Sequence, residues 1–155
     1  MRRIAFAFIL FLISAGPAAA QDREVPYWAS IRADKVNMRV GPSMDYPIDW
    51  VYRREGLPVK VIRLYEGWRL VTDPDGAQGW IAARLLNPQR GAIVIGEGLA
   101  EMRKGDGADS DLLWKLEPGV VGKLGDCRDG WCEFDTGGGH KGWVLQDRLW
   151  GAGEP

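Results

Sequence analysis

Val36-Asn37-Met38-Arg39-Val40-Gly41-Pro42-Ser43 is met again 64 residues later as Ala100-Glu101-Met102-Arg103-Lys104-Gly105-Asp106-Gly107. Val36, Met38 and Val40 alternate with Asn37 and Arg39, which marks a half-buried strand, and Gly41-Pro42 ends it. Working outward, the same shift carries Ile31, Asp45 and Trp50 onto Ile95, Asp109 and Trp114. A shift of 63 carries Gly56, Lys60, Gly67, Trp68, Gly76, Gly79 and Trp80 onto Gly119, Lys123, Gly130, Trp131, Gly139, Gly142 and Trp143. The shift returns to 64 for Arg84 and Leu85, which fall on Arg148 and Leu149. The chain is an internal duplication. Its expected units run from Tyr27 to Asn87 and from Pro88 to Trp150, 27–87 and 88–150 in number.

Each unit reads as short strands and turns. In the first, strands are expected at Tyr27 to Ile31, Val36 to Val40, Leu57 to Tyr65, Trp68 to Thr72 and Gly79 to Ile81. Turns are expected at Glu66-Gly67 and at Asp73-Pro74-Asp75-Gly76, where Asp, Pro and Gly each favour the bend. Ala82 to Leu86 is expected to form one helical or 3₁₀ turn. About five strands in a unit of this size predict an all-β chain of two small, strongly bent barrels. So small a barrel is marginal alone, so the two are expected to support each other, or the second to be supported by a disulfide.

The N-terminus reads as a cleaved export signal over residues 1–20. Arg2 and Arg3 precede an apolar run from Ile4 to Ile13, Pro17 breaks it, and Ala18-Ala19-Ala20 offers small residues for cleavage. The run is too short for a stable membrane span. No second run is long enough, and no cysteine near the cleavage site invites a lipid anchor. The expected location is therefore periplasmic or secreted. Without the leader the chain carries 18 basic against 21 acidic side chains, net −3. That balance, with no basic stripe, argues against nucleic acid as a partner.

Cys127 and Cys132 flank Arg128-Asp129-Gly130-Trp131. Asp-Gly between strand residues is a strong two-residue hairpin signal. With Asp129-Gly130 as the turn, Arg128 faces Trp131 and Cys127 faces Cys132. The cysteines then form a non-hydrogen-bonded pair, whose close Cα atoms suit a disulfide. Its short loop makes the expected stabilisation only about 2 kcal/mol.

The first unit resembles the bacterial SH3-like domains. The resemblance rests on Val36 to Ser43 with Tyr46-Pro47, then Trp50-Val51-Tyr52, Leu57-Pro58-Val59, Glu66-Gly67-Trp68 and Gly79-Trp80-Ile81 in order. The second unit keeps Met102-Arg103-Lys104-Gly105, Asp129-Gly130-Trp131-Cys132 and Gly142-Trp143-Val144. It departs at Gly105-Asp106 and Ser110-Asp111, which weakens the case for ligand binding there more than the case for the fold. The resemblance implies two tandem SH3-like barrels used for recognition in an exported or envelope protein, with peptidoglycan peptide or an envelope protein as partner.

No catalytic residues are expected. A cell-wall cysteine peptidase needs a free thiol and a histidine, but the cysteines are expected to be paired. The one histidine, His140, follows Gly137-Gly138-Gly139 in a loop. Two cysteines and one histidine do not show zinc-site spacing, and Cys-x₄-Cys is not the redox spacing, so neither metal nor cofactor is expected. Asp73, Asp75, Asp126 and Asp129 fall in expected turns.

Trp80 and Trp143 recur in both units and are assigned to the shared core. Tyr46, Tyr52 and Tyr65 become Ser110, Leu116 and Arg128 in the second unit. Residues 27–88 carry nine basic and seven acidic side chains, whereas 89–150 carry eight and eleven. The first unit is therefore expected to carry the recognition surface, formed by Arg39, Tyr46, Trp50, Tyr52, Tyr65 and Trp68. Arg39, Arg53 or Arg54 would meet a peptide carboxylate. The alternative is that the tyrosines cover one end of the barrel and the arginines are solvated. Trp28 and Trp150 lack repeat partners and belong either to the junction between units or to an exposed patch. The functional alternatives are a structural or assembly protein of the envelope and, less favoured by the residue inventory, a cell-wall hydrolase.

Overall fold

A computed structural model describes residues 23–155, and the leader expected at 1–20 lies outside them. The first unit runs β1 (Tyr27–Ile31), β2 (Val36–Arg39), β3 (Ile48–Tyr52), β4 (Pro58–Tyr65), β5 (Trp68–Thr72), β6 (Gln78–Ala82), a 3₁₀ turn (Ala83–Leu85) and β7 (Leu86–Asn87). The second repeats it as β8 (Gly91–Val94), β9 (Ala100–Arg103), β10 (Leu112–Leu116), β11 (Val121–Arg128), β12 (Trp131–Asp135), β13 (Lys141–Leu145), a 3₁₀ turn (Gln146–Arg148) and β14 (Leu149–Trp150). Each unit is one antiparallel sheet. The strand orders are β3-β2-β6-β5-β4-β1-β7 and β10-β9-β13-β12-β11-β8-β14. The all-β expectation holds, with two small antiparallel sheets in tandem.

Strands β1 and β5 have the expected bounds. Strand β3 was absent from the expected set because Ile48, Asp49 and Trp50 are all exposed, so its edge position leaves no buried alternation to read. Ile31, Met38, Val59, Val61, Val71 and Ile81 fill the first core and are almost fully buried. Each such side chain contributes about 1.5–3 kcal/mol. Phe134, Met102, Val94 and Val144 do the same in the second. The sheet curls shut where β6 meets β2. There a Cβ on Gly79 would lie 2.4 Å from Met38 Cγ, and one on Gly142 would lie 2.6 Å from Met102 Cγ. Only glycine lets these strands approach so closely.

The hairpin between β11 and β12 has the expected register, Arg128 to Trp131 and Cys127 to Cys132. Asp129 and Gly130 have φ of 51° and 79°, as a type I′ turn requires. The disulfide closes across it with Cα atoms 4.0 Å apart. Asp126, expected in a turn, lies instead in β11, where a register shift falls between Leu124 and Cys127.

The two units pack directly. Trp28 and Trp150 meet edge to face with ring centroids 4.7 Å apart, and Trp28 Nε1 donates to Gly153 O at 2.7 Å. Of the two readings for this pair, the junction is the one observed. Ser30 Oγ donates to Gln89 O at 2.7 Å, and within the second unit Arg90 Nη2 holds Gly151 O and Gly153 O at 2.7 and 3.0 Å. Arg54 Nη1 donates to Gly119 O at 2.7 Å, so this arginine joins the units.

Tyr52 belongs to the first core and is 5% exposed. Its hydroxyl donates to Asp73 Oδ2 at 3.0 Å and lies 3.4 Å from Met38 Sδ. Asp73 Oδ1 in turn accepts the Asp75 and Ala77 amides, tying the turn to the core. Burial first, then the hydrogen bond and charge of Asp73, hold the phenol well above the usual tyrosine range. A raised folded value means this contribution is complete below the unfolded pKa of about 10 and is lost as pH rises beyond it. Tyr52→Phe should therefore lower stability by about 1–3 kcal/mol at neutral pH and reduce the decline above about pH 10. Urea denaturation at several pH values measures both. Trp28→Ala should cost about 3–5 kcal/mol and split one cooperative unfolding transition into two, read by calorimetry.

Candidate functional site

Alternation along β6 sends Gly79 and Ile81 inward and Trp80 outward, half-buried. Trp80 is paired in register with Arg39 on β2 and with Leu70 on β5. Arg63 lies beyond Leu70, and Ile48 beyond Arg39. A row of side chains, Arg63, Leu70, Trp80, Arg39 and Ile48, thus crosses the outer face of the first sheet. Tyr65, 52% exposed at the end of β4, sets its ring edge-on to Trp80 at 6.2 Å. The result is an aromatic platform with a tyrosine hydroxyl at its rim.

The second unit builds the same row from Glu133, Trp143, Arg103 and Leu112. Here the indole is covered. Arg128, at the position of Tyr65, sits 4.4 Å over the Trp143 ring. Asp106, at the position of Pro42, pairs with Arg128 and holds it there. Trp143 is 7% exposed. Two substitutions therefore turn an open aromatic surface into a capped one. The core assignment made for both tryptophans is corrected: both stand on the outer face, Trp143 buried there beneath Arg128 and Trp80 half-buried.

The other expected site residues separate. Arg39 Nη1 donates to Tyr46 O at 2.6 Å, and Arg103 Nη1 donates to Ser110 O at the same distance, so this arginine braces the loop after β2 in both units. Tyr46 is 46% exposed and lays its ring against Gly41. Trp50 is 60% exposed on edge strand β3 and has no ring partner among the described residues. Trp68, half-buried, lies opposite Tyr65 across the β4–β5 hairpin and shares a cleft of about 150 Å³ with Arg39. Tyr52 is a correction: the tyrosine expected at the recognition surface is inside the core, because the last residue of β3 turns into the barrel. The structure thus brings Arg39 and Tyr65 to Trp80, sets Trp68 in a cleft with Arg39, and leaves Trp50 and Tyr52 elsewhere.

His140 stacks edge-on against Trp114 at 4.4 Å, with Nδ1 3.1 Å from Gly137 O. Both cysteines are in the disulfide, so no thiol faces it. Among the described residues no three His, Cys, Asp or Glu side chains converge as a metal site would need. No described helix is long and apolar enough to cross a membrane. What the outer face can do is bind: stack, cover apolar surface and offer hydrogen-bond donors.

The family model of the bacterial SH3 domain matches residues 32–88 and 96–151. Solved structures similar to this chain include NlpC2 and NlpC1 from Trichomonas vaginalis, at 12% and 13% identity with TM-scores of 0.36 and 0.35. The matches cover 83% and 92% of this chain, and 49% and 50% of those chains. An NlpC/P60 family protein from Bacillus cereus matches at 11% identity and a TM-score of 0.36, over 79% of this chain and 55% of that one. The chain thus spans about half the length of these proteins. No curated protein matches it.

Asp106→Asn should release Arg128 from the Trp143 ring. Because the ion pair is exposed, the cost should stay below about 1 kcal/mol. The Trp143 indole proton should exchange faster with water, as read by NMR.

Proposed function

Because the chain belongs to the bacterial SH3 domain family, generally one of binding modules, we propose that it is an exported, non-catalytic binding protein. Its first unit recognises a peptide, either of peptidoglycan or of an envelope protein. The observation that carries this reading is the difference between two copies of one face. Trp80 is open beside Tyr65, whereas Trp143 is shut beneath Arg128 and Asp106. An amphipathic tyrosine over a half-buried indole suits a ligand with both apolar and polar groups. The apolar leader and the disulfide agree with export into an oxidising compartment. A purely structural role loses its best sequence clue, because Trp28 and Trp150 are occupied with each other at the junction.

The test uses the full chain, expressed from its complete coding sequence and purified with the disulfide formed. Co-sedimentation with purified sacculi should saturate, and Tyr65→Ala should weaken it about tenfold or more, a loss typical of an interface hot spot. Sedimentation that is absent, with Tyr65-dependent cross-linking to an envelope protein, would choose the protein partner. Binding to either that is indifferent to Tyr65→Ala would sink the first-unit reading.

A further inference from the structure

We propose that the cleft beside the 3₁₀ turn of the first unit is a carboxylate-binding pocket for the end or an acidic side chain of a peptide. This deepens the reading above, and rests on it for the choice of unit. Lys35, Arg39 and Arg84 line the cleft together with Asn37, Met44 and Trp68. Three cations thus converge on about 150 Å³, and among the described residues none of them is paired with a carboxylate. Lys35 and Arg84 are exposed, and Arg39 commits one nitrogen to the Tyr46 carbonyl.

The second unit shows what a satisfied version looks like. Glu101 stands where Asn37 stands and takes the Nε and Nη2 of Arg103, at 3.1 and 2.5 Å. Leu99 replaces Lys35, and Ala108 replaces Met44. Arg148, at the position of Arg84, donates to the carbonyls of Ile95, Glu97 and Gly98 at 3.0 to 3.1 Å. Both arginines of that copy are bonded internally. In the first unit the same scaffold holds the donors out and lacks the internal anion.

Guanidinium groups match carboxylates in a fork, and such charge-assisted bonds are the strong ones. Trp68 and Met44 add an apolar wall, which an inorganic anion would not use but the carbon chain of a peptide would. The cleft is small against ligand pockets of about 300–1,000 Å³, so it holds one carboxylate-bearing residue rather than a whole ligand.

The probes are acetyl-Ala-Glu-Ala-Ala with both carboxylates free, and acetyl-Ala-Gln-Ala-Ala amide, titrated against the isotope-labelled full chain by NMR. The acidic peptide should give saturable shifts at the amides of Lys35 and Asn37 and at the Trp68 indole, and none at Leu99 or Glu101. The amide should bind about tenfold more weakly or worse, as should the acidic peptide to Lys35→Gln or Arg84→Gln. Arg84→Lys should retain most of the affinity. Equal affinity for both peptides, equal shifts in both units, or tighter binding of inorganic phosphate would each overturn the proposal. The two readings fail separately. Tyr65→Ala abolishing sacculus binding, while neither amidation nor the charge variants matter, would reject the pocket and keep the first-unit reading. Cleft binding of the peptide with sedimentation untouched by Tyr65→Ala would do the reverse. Sacculi amidated at their carboxylates should sediment less protein where the wall supplies the group, and as much as before where a protein terminus does.

Discussion

Each barrel closes where a glycine lies over a methionine, Gly79 on Met38 and Gly142 on Met102. Everything on the outer face depends on that approach. A side chain at either glycine would push the strands apart, so the inward position is fixed as empty. Alternation then forces the next residue, Trp80 or Trp143, to the outside. The recurrent Gly-Trp pair is thus one constraint with two consequences: a sealed core and an indole on the surface above it. The arginine paired with that indole in register, Arg39 or Arg103, is also the one that braces the loop after β2. Core, loop and platform are therefore set by the same few positions.

Because the scaffold is duplicated, differences between the copies isolate what is not needed for folding. Tyr65 and Pro42 become Arg128 and Asp106, and the indole is covered. Asn37 becomes Glu101, and the bracing arginine gains an internal anion. Among the described residues Arg84 makes no contact of the kind Arg148 makes with three carbonyls. Each change in the second unit satisfies a group that stays available in the first. Internally satisfied polar groups cost little and recruit nothing, whereas held-out aromatic and cationic groups have a free-energy gain still to collect from a partner.

Much of the fold was legible because its signals are local. Asp129-Gly130 fixed the hairpin register and with it the cysteine pair, and the Val36 to Arg39 alternation marked a half-buried strand. Strand β3 escaped because its Ile48, Asp49 and Trp50 are exposed on an edge, so no burial period exists there. The site was legible only in part. Tyr65 and Tyr52 stand out alike in sequence, since neither recurs in the second unit, yet Tyr65 is exposed and Tyr52 is buried. What separates them is the hydrogen bond to Asp73, 21 residues away, which no local pattern encodes. Recurrence of the Gly79-Trp80 pair marks a shared structural role, but the inward position belongs to the glycine and the indole faces out. Lys35 and Arg84 were missed since nothing in the chain says which side chains share a cleft; the charge difference between the units was the available hint.

The second unit is best understood through the junction. Trp150 and Gly153 receive Trp28, Gln89 receives Ser30, and Gly119 receives Arg54. The contacts from the first unit come from Trp28 and Ser30, on β1, and from Arg54, just after β3. The aromatic row crosses β4, β5, β6, β2 and β3, and the cationic cleft is lined from β2, β5 and the 3₁₀ turn. A barrel of this size alone has little core with which to resist distortion. Its partner, stapled by a disulfide and with its own outer groups satisfied, supplies rigidity at the far end. A platform held rigid in its binding shape loses less entropy when a ligand arrives. On the proposed reading, the second copy serves recognition through what it does to the first barrel.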